Sequence, residues 1–403
     1  MATIAVLGTF DTKGVEHAFL AEQIRKHGHQ TLLIDVGMMG AQGVTPDITH
    51  QQVAQAGDFD FDAMVARHDR GECVAAMAAA APLVLKQLQS EGKIDGVISL
   101  GGGGGTAIAT AAMRALPIGF PKLMVSTLAS GNTEHYVGTK DIVMMPSIVD
   151  VAGLNRISKM IFCRAAGAIC GMVESEIPEQ GDRPIVVASM FGNTTDCVNA
   201  AIPVMEQAGY EVLVFHSTGA GGRAMESLIE SGMVTGVLDI TTTEWADELV
   251  GGTLTAGATR LDATAKMGVP SIVVPGCLDM VNFGAPETVP EKFAGRNFYH
   301  HNPQVTLMRT NAEECAQLGQ ILAEKINAYS APVTVLLPLR AISVISAADQ
   351  AFHDPLADTA LFESLTSHLR SDIEVQSLDL EINDPAFAEA CAKALLSNQQ
   401  QAK

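Results

Sequence analysis

The chain has 403 residues, 47 % hydrophobic, 17 % charged and 5 % aromatic, which supplies apolar cores for two or three domains. A formal net charge of −20 excludes a general affinity for nucleic acid or anionic membrane, so a polyanionic ligand would need a local nest, helped by a divalent cation. The seven cysteines (73, 163, 170, 197, 277, 315 and 391) have no zinc-ligand or CxxC spacing and read as reduced thiols of a cytosolic protein, with Cys163 and Cys170 in one helix core.

Thr3 to Leu7 reads as a buried strand, too short for a signal peptide, and no apolar run reaches the ~18 residues of a membrane helix. It runs into the loop Gly8-Thr9-Phe10-Asp11-Thr12-Lys13-Gly14. A helix from about Val15 to His27 and a strand from Thr31 to Ile34, ending at Asp35, complete a βαβ unit. The loop lacks the spacing of a Walker A sequence. It still carries the parts of a phosphate or ribose site: hydroxyls from Thr9 and Thr12, a mobile ammonium from Lys13, and the Asp11 carboxylate for a hydroxyl or metal. A plain βα loop capped by Asp11 or Thr12 is the alternative.

Val36 to Arg70 is polar and weakly periodic and reads as an excursion before an Ala-rich helix, Glu72 to Glu91. Then comes GVISLGGGGGT, a buried strand entering Gly101, Gly102, Gly103, Gly104 and Gly105, with Thr106 opening a helix. Five glycines cost backbone entropy, so the site needs bare backbone. A strand, a Gly-rich turn and a helix N-terminus present free N–H groups and a favourable dipole to a phosphate. A ligand-free turn is the alternative, although one glycine would serve it. After the strand Lys122 to Ser126, the loop offers Ser130, Gly131, Asn132 and Thr133 as further cofactor-binding candidates and Glu134 as a metal candidate. Asp141 to Met145 reads as an edge strand and Val151 to Val173 as a long helix.

Glu174 to Pro184 reads as a linker between an N-terminal nucleotide-binding domain, 1–178, and a C-terminal domain, 184–403. The pattern then restarts. Ile185 matches Ile4 at a distance of 181 residues, Phe191 to Asp196 replaces the first loop, and Gly236 to Ile240 mirrors Gly96 to Leu100. Thr241 to Asp247, rich in hydroxyls and carboxylates, stands where the glycines were. This is the pattern of an internal duplication. Further on, Asp279, Asn282, Arg296 and His301 read as a substrate pocket, with Asp279, Asn282 and His301 as catalytic candidates. His300 and His301 are adjacent and point apart, which disfavours a shared metal. Strands at 304–308, 332–338 and 373–375, helices at 312–328, 356–369 and 385–396, and a frayed polar tail from Ser397 complete the chain.

GTFDTKG, GGGGGT, SGNT and GCLDMVNFG, in this order, resemble a Tm-1-like family of bacteria, fungi and plants. That family has no settled reaction and includes the ATP-binding N-terminal region of the tomato mosaic virus resistance protein. The resemblance covers nearly the whole chain. It implies ATP binding in the first of two α/β subdomains and self-association as a dimer or tetramer. Larger members carry a TIM-barrel domain, which leaves room here for a separately encoded TIM-barrel partner.

The expectation is therefore an α/β protein of two Rossmann-like, doubly wound parallel-sheet subdomains arising from duplication. ATP with Mg²⁺ would lie on the loops named above, and an unknown small molecule in a cleft between the halves. An ATP-dependent phosphotransferase, ligase or hydrolase fits this expectation, as does a non-catalytic ATP-responsive sensor. A Gly-Gly-Asp-Gly phosphotransferase loop is disfavoured because Gly103 stands at the acidic position. A dinucleotide oxidoreductase lacks GxGxxG after the first strand, although Asp35 could read a ribose.

Overall fold

The computed structural model describes residues 1–67, 69–177 and 181–402. The chain divides into two units, Met1–Glu179 and Gln180–Lys403, each with its own parallel sheet. Residues 178–180 of the expected linker and Lys403 of the tail lie outside the described residues.

The first unit runs β1 (Thr3–Gly8), α1 (Phe10–Lys26), β2 (Gln30–Asp35), α2 (His50–Ala56), α3 (Phe61–Ala66), α4 (Arg70–Ser90) and β3 (Gly96–Gly101). It continues with α5 (Gly103–Arg114), β4 (Lys122–Ser126), α6 (Glu134–Val137), β5 (Val143–Pro146) and α7 (Arg156–Glu174). Its five strands are parallel, in the order β2-β1-β3-β4-β5. Successive strand residues serve opposite faces, as the two-residue period requires. Ala5, Leu7 and Val97 pack with α4 and α5, whereas Ile4, Val6, Ile98 and Leu100 pack with α1 and α7. The sheet is therefore covered on both sides, and the winding reverses between β1 and β3. Connections leave these two strands toward opposite faces, which opens a crevice at their carboxyl ends.

The second unit runs β6 (Ile185–Met190), α8 (Thr195–Gln207), β7 (Glu211–His216), α9 (Ala220–Glu230), β8 (Val234–Thr241), α10 (Glu244–Val250), α11 (Asp262–Met267) and β9 (Ser271–Gly276). Next come β10 (Met280–Phe283), β11 (Phe298–Asn302), β12 (Val305–Arg309), α12 (Ala312–Asn327), β13 (Val333–Pro338), α13 (Pro355–His368), β14 (Glu374–Leu378) and α14 (Pro385–Gln401). Its six-stranded parallel sheet has the order β14-β13-β9-β8-β6-β7, and β10-β12-β11 form a small antiparallel sheet. Setting β6 to β9 against β1 to β4 gives the same winding order, which supports the duplication.

Several local expectations are corrected. The first helix begins at Phe10, not Val15, because the Phe10 amide is fixed at 3.0 Å by the Asp35 carboxylate; the helix then kinks at Lys13 (φ −134°, ψ 23°). The excursion holds α2 and α3, capped by Thr49 and Asp60; helices of 7 and 6 residues are too short to display a period. The seventh helix starts at Arg156, capped by Asn155. Its Cys170 is buried, but Cys163, at the edge of the apolar stripe, is exposed. Helix α4 is long and apolar enough, by length and composition, to cross a membrane. Its alanine-rich face from Cys73 to Leu88 is nevertheless buried in the core of the first unit. The polar tail is not frayed up to Gln401: Asn398 and Gln399 are buried in α14, and Asn398 Nδ2 donates to the Ser271 carbonyl at 2.8 Å.

Candidate functional site

A cavity of about 580 Å³ occupies the crevice between β1 and β3. Thr9, Asp11, Thr12 and Lys13 line one side, Gly102 to Gly105 another, and Asp69 and Arg70 a third. Helix α5 begins here with Gly102 as an extended N-cap that has no side chain to close it (φ −91°, ψ −157°). The first amides of the helix thus have no capping side chain, as at any uncapped helix start.

The glycines are not required by the fold alone. None of Gly101 to Gly105 has a positive φ. A Cβ at Gly101 would press on the Gly105 backbone at 3.2 Å, so this position is tight. At Gly102, Gly104 and Gly105 the nearest atoms would lie at 3.7, 3.6 and 3.8 Å, ordinary contacts, and at Gly103 nothing lies within 4 Å. The bare backbone faces the cavity rather than a neighbouring element. Gly8 differs: a Cβ there would strike the His17 ring at 2.1 Å. Burial holds His17 neutral, lowering its pKa to about 4. Its Nδ1 donates to the Lys13 carbonyl at 2.7 Å, and its Nε2 accepts the Leu100 amide at 3.4 Å, tying β3 to the α1 kink beneath the glycines.

Asp11 is 6 % exposed. Its Oδ2 accepts the Met38 and Met39 amides at 2.9 and 3.2 Å, while its buried Oδ1 has no hydrogen-bond partner among the described residues. A buried carboxylate oxygen left so suits a cation or a hydroxyl donor. Lys13 is not the mobile charge expected of it, since its ammonium donates to the Val151 carbonyl. Thr9 and Thr12 hydroxyls lie 3.2 Å apart. The cation that sequence reasoning missed is Arg70, whose Nη2 lies 4.0 Å from the Cβ position of Gly104. The Asp69 cap at the start of α4 was its only signal.

Two neighbouring candidates are structural. Thr106 is fully buried and its hydroxyl lies 2.7 Å from Ser126 Oγ, fastening α5 to β4 instead of facing a ligand. Asp35 is fully buried and bonded to the Phe10 and Gly37 amides and His50 Nδ1, so it is not a ribose reader. Ser130 lines a separate cavity, described below. Gly131, Asn132 and Thr133 line neither cavity; Asn132 Oδ1 accepts the Glu134 amide at 3.0 Å. Glu134 is exposed at the start of α6, and no group of three His, Cys, Asp or Glu residues able to hold a metal occurs among the described residues.

In the second unit the expected catalytic trio is not assembled. Asp279 is fully buried and accepts the Ser343 hydroxyl at 2.7 Å. Asn282, also buried, donates to Asp247 through its backbone at 3.0 Å and its side chain at 2.7 Å. Arg296 pairs with Glu314, and His301 is exposed on β11. Ser343 and Asp247 thus engage Asp279 and Asn282 in part, while Asp279 Oδ1 and Asn282 Oδ1 stay buried without a hydrogen-bond partner among the described residues. After β8 the chain supplies its own carboxylate to a helix start. Glu244 accepts the Gly219 and Gly222 amides at the start of α9, at 2.7 and 3.1 Å.

Burial raises the pKa of Asp247 from 3.8 to about 7 and that of Asp279 to about 6. Each binds a proton more tightly folded than unfolded. This contribution is therefore complete below about pH 4 and is lost as pH rises to about 7. For Asp247 the full span corresponds to at most ~4 kcal/mol. We expect Asp247→Asn to remove this slope, so that its stability relative to the parent improves progressively between about pH 4 and 7. Urea titrations at several pH values, followed by fluorescence of the single tryptophan, Trp245, check this; a pH-independent difference refutes it.

The fold and cavity define a two-domain, Rossmann-like α/β protein with a glycine-lined crevice at the switch point of its first sheet. The chain belongs to the uncharacterised protein family UPF0261, whose N-terminal domain matches residues 2–178 and whose C-terminal domain matches residues 183–398. A UPF0261 protein of Clostridium tetani is 48 % identical over 396 residues, covering 98 % of each chain. The ToMV resistance protein Tm-1(GCR237) of Solanum lycopersicum is 39 % identical over 413 residues, covering 97 % of this chain and 55 % of that protein. Among solved structures, a UDP-N-acetylglucosamine 2-epimerase from Rickettsia bellii aligns over 67 % of this chain and 78 % of its own at 11 % identity, with a TM-score of 0.23.

Proposed function

We propose that the first unit binds ATP, with Mg²⁺, in the crevice between β1 and β3. The observation that carries this reading is the run Gly102 to Gly105, which the protein's own packing leaves without close neighbours on the cavity side. Phosphate oxygens would accept the first amides of α5, where the helix dipole favours negative charge. Arg70 would add charge, Thr9 and Thr12 hydroxyls, and Lys13, on the same wall, is tied to the Val151 carbonyl. Asp11, on the cavity wall, would sit beside Mg²⁺ or its water, which offsets the repulsion between a carboxylate and a polyphosphate. The motif resemblance selects ATP among phosphate ligands.

Both carboxylates of the cavity wall, Asp11 and Asp69, have an oxygen engaged by backbone amides. That arrangement favours binding over general-base chemistry, and so supports an ATP-responsive sensor or regulatory partner beside the enzyme reading. Calorimetric titration with ATP, with and without Mg²⁺, tests the proposal, with NAD as control. Saturable, Mg²⁺-dependent ATP binding without NAD binding is expected; absence of ATP binding overturns it. ADP release measured in the same sample separates turnover from sensing.

A further inference from the structure

A second cavity of the first unit, about 470 Å³, lies at the carboxyl ends of β4 and β5. It touches the glycine turn from its other side: Thr127 lines it, the Thr127 amide donates to the Gly101 carbonyl at 3.2 Å, and Thr127 Oγ1 is 3.7 Å from the Cβ position of Gly102. We propose that this cavity is a binding subsite for an uncharged polyhydroxylated group, such as a sugar or polyol.

Its lining decides the class of ligand. Thr127 and Ser130 supply hydroxyls and Asp150 a carboxylate, the Ser126 and Ser147 hydroxyls are already bonded to Thr106 and to the Val149 carbonyl, and no basic side chain lines the wall. The hydroxyls of Thr127 and Ser130 have no hydrogen-bond partner among the described residues. An anion finds no counter-charge here and meets a carboxylate. A polyol gives its hydroxyls both donors and acceptors, and its C–H face an apolar surface. Ile148 provides that surface, at a measurable conformational cost. It is β-branched yet has φ +65°, and it is 74 % exposed. The turn is enforced from below: the Ser147 amide donates to the Ser126 carbonyl at 3.1 Å, Ser147 Oγ donates to the Val149 carbonyl at 2.7 Å, and the Val149 amide donates to the Ser147 carbonyl at 2.7 Å. A strained residue with an exposed apolar side chain adds nothing to the core, and strain of this kind clusters at ligand sites.

Saturation-transfer NMR on the full chain with D-ribose and with myo-inositol tests the subsite, with inorganic phosphate as the anionic probe. We expect signals from at least one polyol, reduced at least fivefold by Asp150→Asn and by Ile148→Gly. Both positions are exposed, and glycine relieves the strained φ, so the variants keep the parental melting temperature. Three results overturn the proposal: no polyol signal in the parent chain, a signal that both variants retain, or phosphate binding that the two variants abolish. The subsite does not rest on the nucleotide reading. Polyol binding without ATP binding removes only that reading, and ATP binding without polyol binding removes only the subsite.

Discussion

Replacing Gly103 by aspartate is expected to lower the proposed ATP affinity at least about tenfold while leaving stability unchanged or slightly raised. A tenfold loss is about 1.4 kcal/mol, well within the reach of a misplaced charge in a phosphate cradle. The two effects separate because of the local geometry. Gly103 is the first residue of α5, its φ is not positive, and a Cβ there meets no atom within 4 Å. Glycine is among the poorest helix formers, and an acidic group in the first turn interacts favourably with the helix dipole, each by up to about 1 kcal/mol. The same carboxylate lies where the proposed phosphate would, and repels it. Thermal melting and calorimetric ATP titration of one preparation check both halves. A destabilised variant refutes the account of the glycines as dispensable to the fold. A stable variant with undiminished ATP affinity refutes the cradle. Gly101→Ala behaves differently, because its Cβ presses on the Gly105 backbone and costs stability directly.

What was legible in the sequence was the spacing of strand ends. Thr9 to Lys13 and Gly102 to Gly105 each follow a short apolar strand, and parallel βαβ winding brings such ends to one edge. The loops Phe191 to Asp196 and Thr241 to Asp247 of the second unit were recognisable as their counterparts for the same reason. Side-chain direction was not legible. Thr106 and Asn282 have the composition of site residues but point to Ser126 and Asp247, a fact that depends on register and helix phase. Lys13 was misread because the kink at its own backbone, held by His17 against Leu100, aims its ammonium at Val151. Arg70 was missed because the segment leading to it has no period long enough to reveal two short helices that bring it beside Gly104. The strain at Ile148 left no mark in the sequence, since nothing in Pro146-Ser147-Ile148-Val149 signals a positive φ in an isoleucine.

The second unit predicts the opposite behaviour from Gly103, a loss of fold. Arg260 is 1 % exposed and is held by three carboxylates: both oxygens of Asp239 at 2.6 and 2.7 Å, Glu244 at 2.8 Å and Glu226 at 3.1 Å. Glu244 and Asp239 are each 1 % exposed, so removing the guanidinium strands two buried negative charges. Breaking one partner out of such a network costs roughly 3–5 kcal/mol, far more than the pair contributes relative to an apolar core. Arg260→Ala should therefore destabilise this unit by that order. Arg260→Lys should recover less than half, since one ammonium cannot serve Nε, Nη1 and Nη2 contacts pointing to different carboxylates. The readout is local: Trp245, the only tryptophan, follows Glu244 in the chain and is 5 % exposed. Urea unfolding followed by its fluorescence gives the loss directly, and a value below about 1 kcal/mol refutes the network as a determinant of stability. The contrast between Gly103 and Arg260 carries the functional argument further. After duplication, the second crevice received its anions from its own chain, Glu244 at the start of α9 among them, and its residues answer to folding. The first crevice has glycine where Glu244 stands in the second, with an unpaired Asp11 oxygen on the neighbouring loop, and these are the features the proposed ligand would use.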